Sequence, residues 1–130
     1  MKRNILAVVL AGLWITASEF LRNEFLVQKL WLEHYANLGI NFVANPMVSG
    51  PLWMLWSFLF AGVIWRMLRS IPFWSSVATA WVAGFPMMWI PLYNMQVFPL
   101  NILWAAVPLS LLEVLGAAWI IGKLAPGKKG

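Results

Sequence analysis

Residues 102–123 read ILWAAVPLSLLEVLGAAWIIGK, an apolar run carrying a single serine, a single glutamate and a closing lysine. A hydrocarbon core about 30 Å thick takes roughly 20 helical residues, so this stretch is long enough to cross a bilayer as one helix. Glu113 falls in its middle. At a rise of 1.5 Å per residue it stands roughly 15 Å from either end. A carboxylate facing lipid at that depth costs at least about 2.5 kcal/mol. The helix must therefore turn Glu113 toward other protein, where burial favours a protonated or paired carboxyl. Ala106, Ser110, Gly116 and Ala117 share its face at helical spacing, and small residues there let a neighbouring helix approach closely.

Three more stretches have the same character: Ile5 to Leu21, Pro51 to Leu68 and Pro72 to Tyr93. The expectation is an all-α integral membrane protein of four transmembrane helices, at about 5–21, 51–68, 72–93 and 102–123, forming a single membrane domain over 1–130. Composition agrees: 62% of the residues are hydrophobic and 10% charged, against about a quarter charged in a soluble domain. Pro51 and Pro72 suit first helical turns, where a missing N–H costs nothing, and Pro126-Gly127 closes the last span. The opening Met1-Lys2-Arg3-Asn4, followed by apolar residues, resembles a signal peptide with Ile15-Thr16-Ala17 as its cleavage site. It is read here as a retained first span.

Basic residues orient the bundle. With the N-terminus inside, Lys2, Arg3, Arg66, Arg69, Lys123, Lys128 and Lys129 fall on the inner side, and only Arg22 and Lys29 fall outside. Both termini are thus expected in the cytoplasm, with the protein integral to the cytoplasmic (plasma or inner) membrane. Trp53, Trp56 and Trp104 near the outer ends, and Trp65 and Trp74 beside the inner turn, read as interfacial anchors. Between spans one and two lies an outer segment, 24–50. Its first half places Val27, Leu30, Trp31, His34 and Leu38 on one helical face, with Gly39 as a natural stop. It reads either as an outer interfacial helix or as a continuation of span one. Asn41 to Gly50 reads as loop.

Several function classes drop out. The net charge of +5 invites a nucleic-acid partner, but the cations cap apolar segments and form no patch. No Cys and no Asp occur, and His34 stands alone, so metal sites, thiol chemistry and catalytic triads have no residues to build on. No cofactor is expected, and enzyme chemistry has little material.

What remains centres on Glu113. A titrating carboxyl inside a membrane suits proton or cation coupling in an oligomeric transporter or channel; the plainer role is a neutral carboxyl donating one hydrogen bond between helices. Glu19, nearer the outer end of its span, is expected to pair with Arg22 at i+3 as an interfacial ion pair; if the first helix continues to Val27, Glu19 sinks deeper and a functional role gains weight. Trp14, Trp81, Ser110, Ser57, Ser76, Thr79 and Asn94 are candidates for a cavity wall around Glu113, which would suit a lipophilic cation or a flat apolar molecule. Pro86 and Pro108 are hinge candidates, since each removes a backbone bond. Gly12-Thr16-Glu19-Asn23 and Ala106-Ser110-Glu113-Ala117 share a spacing too short to establish a repeat. Four spans make a thin bundle, so partners beyond the lipid bilayer are expected: a second copy as a homodimer, or other membrane subunits. The alternative function is an accessory subunit of a larger membrane complex. A distant third is a membrane-embedded isomerase or lipid-modifying enzyme using Glu113 and Glu19 as an acid pair, which their difference in depth disfavours.

Overall fold

Apolar runs without effective helix breakers become three long helices. The structure, a computed structural model, describes residues 1–43 and 45–127, and every regular element among them is helical. Helix α1 (Lys2–Phe20) runs on through a π-helical turn (Leu21–Leu26). Helix α3 (Pro46–Leu68) and helix α6 (Leu103–Leu124), the latter entered through a 3-10 turn (Leu100–Ile102), are the other two. Each of the three is long and apolar enough to cross a membrane.

The stretch expected to be one span over 72–93 is instead two helices, α4 (Phe73–Gly84) and α5 (Pro86–Asn94). Phe85, at φ −124° and ψ −74°, separates them. Pro86 explains the break: it has no N–H to offer Val82, and its ring would collide with that carbonyl. The same proline then serves as the first residue of α5, where its fixed φ suits a helix start.

Two boundaries in the outer segment also differ from expectation. Asn41 to Gly50 is not all loop, because α3 begins at Pro46. The Asn45 side chain accepts the Met47 N–H at 3.2 Å, and Pro46 follows as the first helical residue, so this Asn-Pro pair starts a helix. The first half of the segment combines the two readings offered for it. Span one continues to Leu26, the chain breaks at Val27 (φ −122°), and α2 (Gln28–Asn37) follows as a separate helix. It stops as expected at Gly39, whose φ is +73°. Gly39 N–H bonds the Ala36 carbonyl and Ile40 N–H bonds the Tyr35 carbonyl, the paired closure that a left-handed residue allows.

Helix α1 packs against α3 and α6, and α4 packs against α3 and α6 in turn. Small residues bring the axes together: Gly12 of α1 lies against the Phe58 ring and Gly116 of α6 lies under the Trp14 indole, with no room for a Cβ at either. Arg3 Nε donates to the Leu124 carbonyl at 3.2 Å, and Trp14 Nε1 donates to the Glu113 carbonyl at 2.9 Å. Residues early in α1 thus meet residues late in α6, so the two helices are antiparallel. Gly127 packs on the Leu68 backbone, bringing the end of α3 to the same edge. Lys128 and Lys129 lie outside the described residues.

At the opposite edge α2 folds back onto the bundle. Val27 is fully buried with Phe98, Ile102, Ala105 and Ala106, and Leu30 and Trp31 pack on them. His34 Nε2 lies 2.8 Å from the Gln96 carbonyl, fastening the far end of α2 to the turn before α6. Leu38, expected on this face, is exposed. Trp56 is half-buried, its ring centroid 5.0 Å from that of Phe60.

Candidate functional site

The π-helical turn after α1 carries Arg22, and Arg22 organises the site. Its Nη2 lies 2.6 Å from Glu19 Oε1, and its Nη1 lies 3.0 Å from Glu113 Oε2. All three side chains are buried, Glu113 completely. The Asn23 amide donates to the Glu19 carboxylate and to the Glu19 backbone carbonyl, at 3.0 and 3.1 Å. The Arg22 guanidinium also stands over the Phe85 ring, 5.4 Å from its centroid, so the cluster rests on the residue at which α4 gives way to α5. The turn is wider than an α-helix, with the Val27 N–H bonded to the Arg22 carbonyl. Single π turns of this kind occur mostly within longer helices and often at functional sites.

The continuation of the first helix decides the surroundings of Glu19. It pairs with Arg22 as expected, and both side chains are buried within the protein. Span one runs five residues beyond Leu21, which sinks both side chains into the packed interior. The Arg22 side chain bridges Glu19 and Glu113.

Charge does not balance within the cluster. Two carboxylates face one guanidinium, leaving an excess of one negative charge when both are ionised. Glu113 Oε1 is buried with no hydrogen-bond partner among the described residues. An unpaired acceptor in a dry environment is costly, and a proton or a cation on that oxygen would remove both the orphan and the excess charge.

Comparisons with protein-family models, curated proteins and solved structures gave no match. The site is therefore read from its own chemistry.

Beside the cluster opens a cavity of about 520 Å³. Glu19, Arg22, Asn23, Glu24 and Gln28 form its polar side, and six aromatic side chains line it: Trp31, Tyr35, Phe42, Trp53, Trp89 and Phe98. Helix α2 supplies one wall; α5 and the start of α6 supply another. Burial pushes the Tyr35 phenol above its ordinary range, so this ring brings no charge at neutral pH. Glu24 is exposed and accepts from the Gln28 amide at 3.0 Å. Glu113 lies behind Arg22, outside the lining.

The other residues singled out in the sequence are not gathered around Glu113 as a cavity wall. Trp81 Nε1 donates to Ser110 Oγ at 2.9 Å, and Ser110 donates to the Val107 carbonyl at 3.0 Å; together they tie α4 to α6. Trp14 meets the backbone of Glu113, not its carboxylate. Ser57 and Ser76 bond backbone carbonyls of nearby residues, and Thr79 and Asn94 are exposed. Pro86 sits at the break between α4 and α5, whereas Pro108 lies inside α6 without ending it. What sequence reasoning missed is the pairing of Arg22 with Glu113. The signal that points to it is an acid in mid-span with no cation assigned to it, together with the Glu19-x-x-Arg22 spacing one helix away.

Proposed function

We propose that the chain is a small membrane transporter or channel in which the Glu19–Arg22–Glu113 cluster couples movement to a proton or cation. The observation that carries this is the buried two-to-one ratio of carboxylate to guanidinium. Taking up one positive charge makes the cluster neutral, and releasing it restores a net charge in a dry setting, so occupancy and packing are linked. Phe85 lies under Arg22 at the discontinuity between α4 and α5. A break beside an intramembrane ion site is the arrangement by which transporters let packed helices move.

The same reading takes the bilayer to be crossed four times, by α1, α3, the α4–α5 pair and α6. Support comes from the Arg3–Leu124 contact, since an even number of crossings returns both ends to one side. A discontinuous helix is tolerated in a membrane where its freed backbone is covered by protein, and Phe85 is fully buried. The basic residues Lys2, Arg3, Arg66, Arg69 and Lys123 favour a cytoplasmic location for that edge in the cytoplasmic membrane.

A second reading, a subunit that packs against another membrane chain, draws on α4. Its outward face presents Ser75, Ala78, Thr79, Val82 and Ala83 at helical spacing, all exposed, and small faces suit helix association in lipid. The outward faces of α1 and α3 carry mostly large apolar residues and suit lipid contact. An acid-pair enzyme has less support, because Glu113 is held by Arg22 away from the cavity.

The deciding experiment compares proton and monovalent cation flux in proteoliposomes for the native chain and Glu113→Gln, at matched folding. The amide keeps size and hydrogen bonding but cannot ionise. The expected outcome is flux in the native protein and its loss in the variant. Equal flux in both would remove Glu113 as the coupling group, and no flux in either would leave the subunit reading as the better one.

A further inference from the structure

We infer that the cavity beside the cluster is a binding site for an organic cation with a quaternary ammonium head. The proposal rests on the same site as the transport reading but names the ligand that the cavity walls select. The lining holds two carboxylates, Glu19 and Glu24, and one guanidinium, Arg22, an excess of one negative charge. Glu113 behind Arg22 adds a second, and a proton taken up by the cluster removes only one of the two. The cavity thus remains negative in either state, while the Arg22 donors nearest Glu19 and Glu113 are already engaged by those carboxylates. An anionic ligand would have to displace a carboxylate from Arg22 and then face the other one.

The second step concerns shape and hydration. A small metal ion needs several oxygen ligands held at fixed distances, and no group of His, Cys, Asp or Glu among the described residues is arranged to hold one. A cavity of about 520 Å³ is also far too large for a bare ion and falls in the range of small-molecule pockets. Six aromatic rings in the lining suit instead a cation whose charge is spread under methyl groups. Such a head is weakly hydrated, makes no hydrogen bonds, and is attracted to the negative faces of aromatic rings. Helix α2 closes this wall through Trp31 and Tyr35, and the His34–Gln96 contact holds that helix in place.

A quaternary ammonium head can come from a free solute or from the headgroup of a choline lipid, and the test separates the two. Binding of benzyltrimethylammonium to the whole protein in a non-ionic detergent is measured by calorimetry, beside its uncharged carbon isostere neopentylbenzene. The cation is expected to bind at least about tenfold more tightly than the isostere, the scale of one desolvated cation–π contact. Glu24→Gln and Trp53→Leu, both at exposed positions, are each expected to weaken the cation several-fold and to leave the isostere unaffected. Competition by dihexanoylphosphatidylcholine, but not by the phosphatidylglycerol of equal chain length, would assign the head to a lipid. Binding without such competition would assign it to a solute. Equal affinity for cation and isostere, or no cation binding at millimolar concentration, overturns the proposal. Because no gradient is involved, the result is independent of flux: binding without flux defeats the transport reading alone, and flux without binding defeats the cation site alone.

Discussion

Arg22 holds two carboxylates out of water, and without it neither has a counter-charge. Arg22→Ala is expected to destabilise the fold by about 3–5 kcal/mol, as loss of one partner from a buried ion pair does. Adding Glu113→Gln should recover part of that loss, because an amide needs no counter-charge. Denaturant unfolding in detergent reads both, and a double variant no more stable than Arg22→Ala would mean that Glu113 does not carry the charge Arg22 balances. Glu113 itself was legible in the sequence because the cost of a lone carboxylate in hydrocarbon dictates where it faces. Arg22 was not. Hydropathy weighs each side chain by itself, so the polar run Arg22-Asn23-Glu24 ends a span on paper. In the folded chain the cost of burying Arg22 is offset by Glu19 three residues away and by Glu113 ninety-one residues away, and only the first of these is visible to local reading.

At the scale of elements, some prolines begin helices and others are absorbed by one. Pro46 and Pro86 begin helices; Pro51, Pro91 and Pro108 lie inside them. Sequence reasoning marked Pro86 as a bend, but a full break also depends on Phe85, whose ring is locked among Trp56, Phe60 and Trp89. Pro86→Ala restores an N–H that can bond the Val82 carbonyl, so α4 and α5 are expected to merge and straighten. Spin labels at exposed Trp74 and Met95 should then report a longer separation than in the native chain. An unchanged separation would assign the break to the packing of Phe85 rather than to the proline. The outer segment shows the complementary limit. Its apolar face and Gly39 stop were readable from periodicity, whereas the π turn and the kink at Val27 are set by contacts with Phe98 and Ile102 far along the chain.

For the whole molecule, the three long apolar helices were legible because bilayer thickness fixes a length that sequence can be measured against. The path of α4–α5 is the part that length cannot decide, since neither half is long enough alone. The chain lacks cysteine, so single-cysteine variants test it directly. With four crossings, Val43→Cys and Met95→Cys are expected to react with an impermeant maleimide from one side of the membrane, and Ser70→Cys only from the other. Labelling of Met95→Cys on the same side as Ser70→Cys would overturn the four-crossing reading. The ion cluster also has a consequence for biogenesis. Glu113 emerges from the ribosome ninety-one residues after Arg22, a delay of roughly 5–20 s at ordinary rates of synthesis. Throughout that interval the first helix carries its guanidinium with only Glu19 to balance it. On the four-crossing reading, the end that carries Arg22 then has reason to ride high in the interface, settling only when the last helix arrives to receive it.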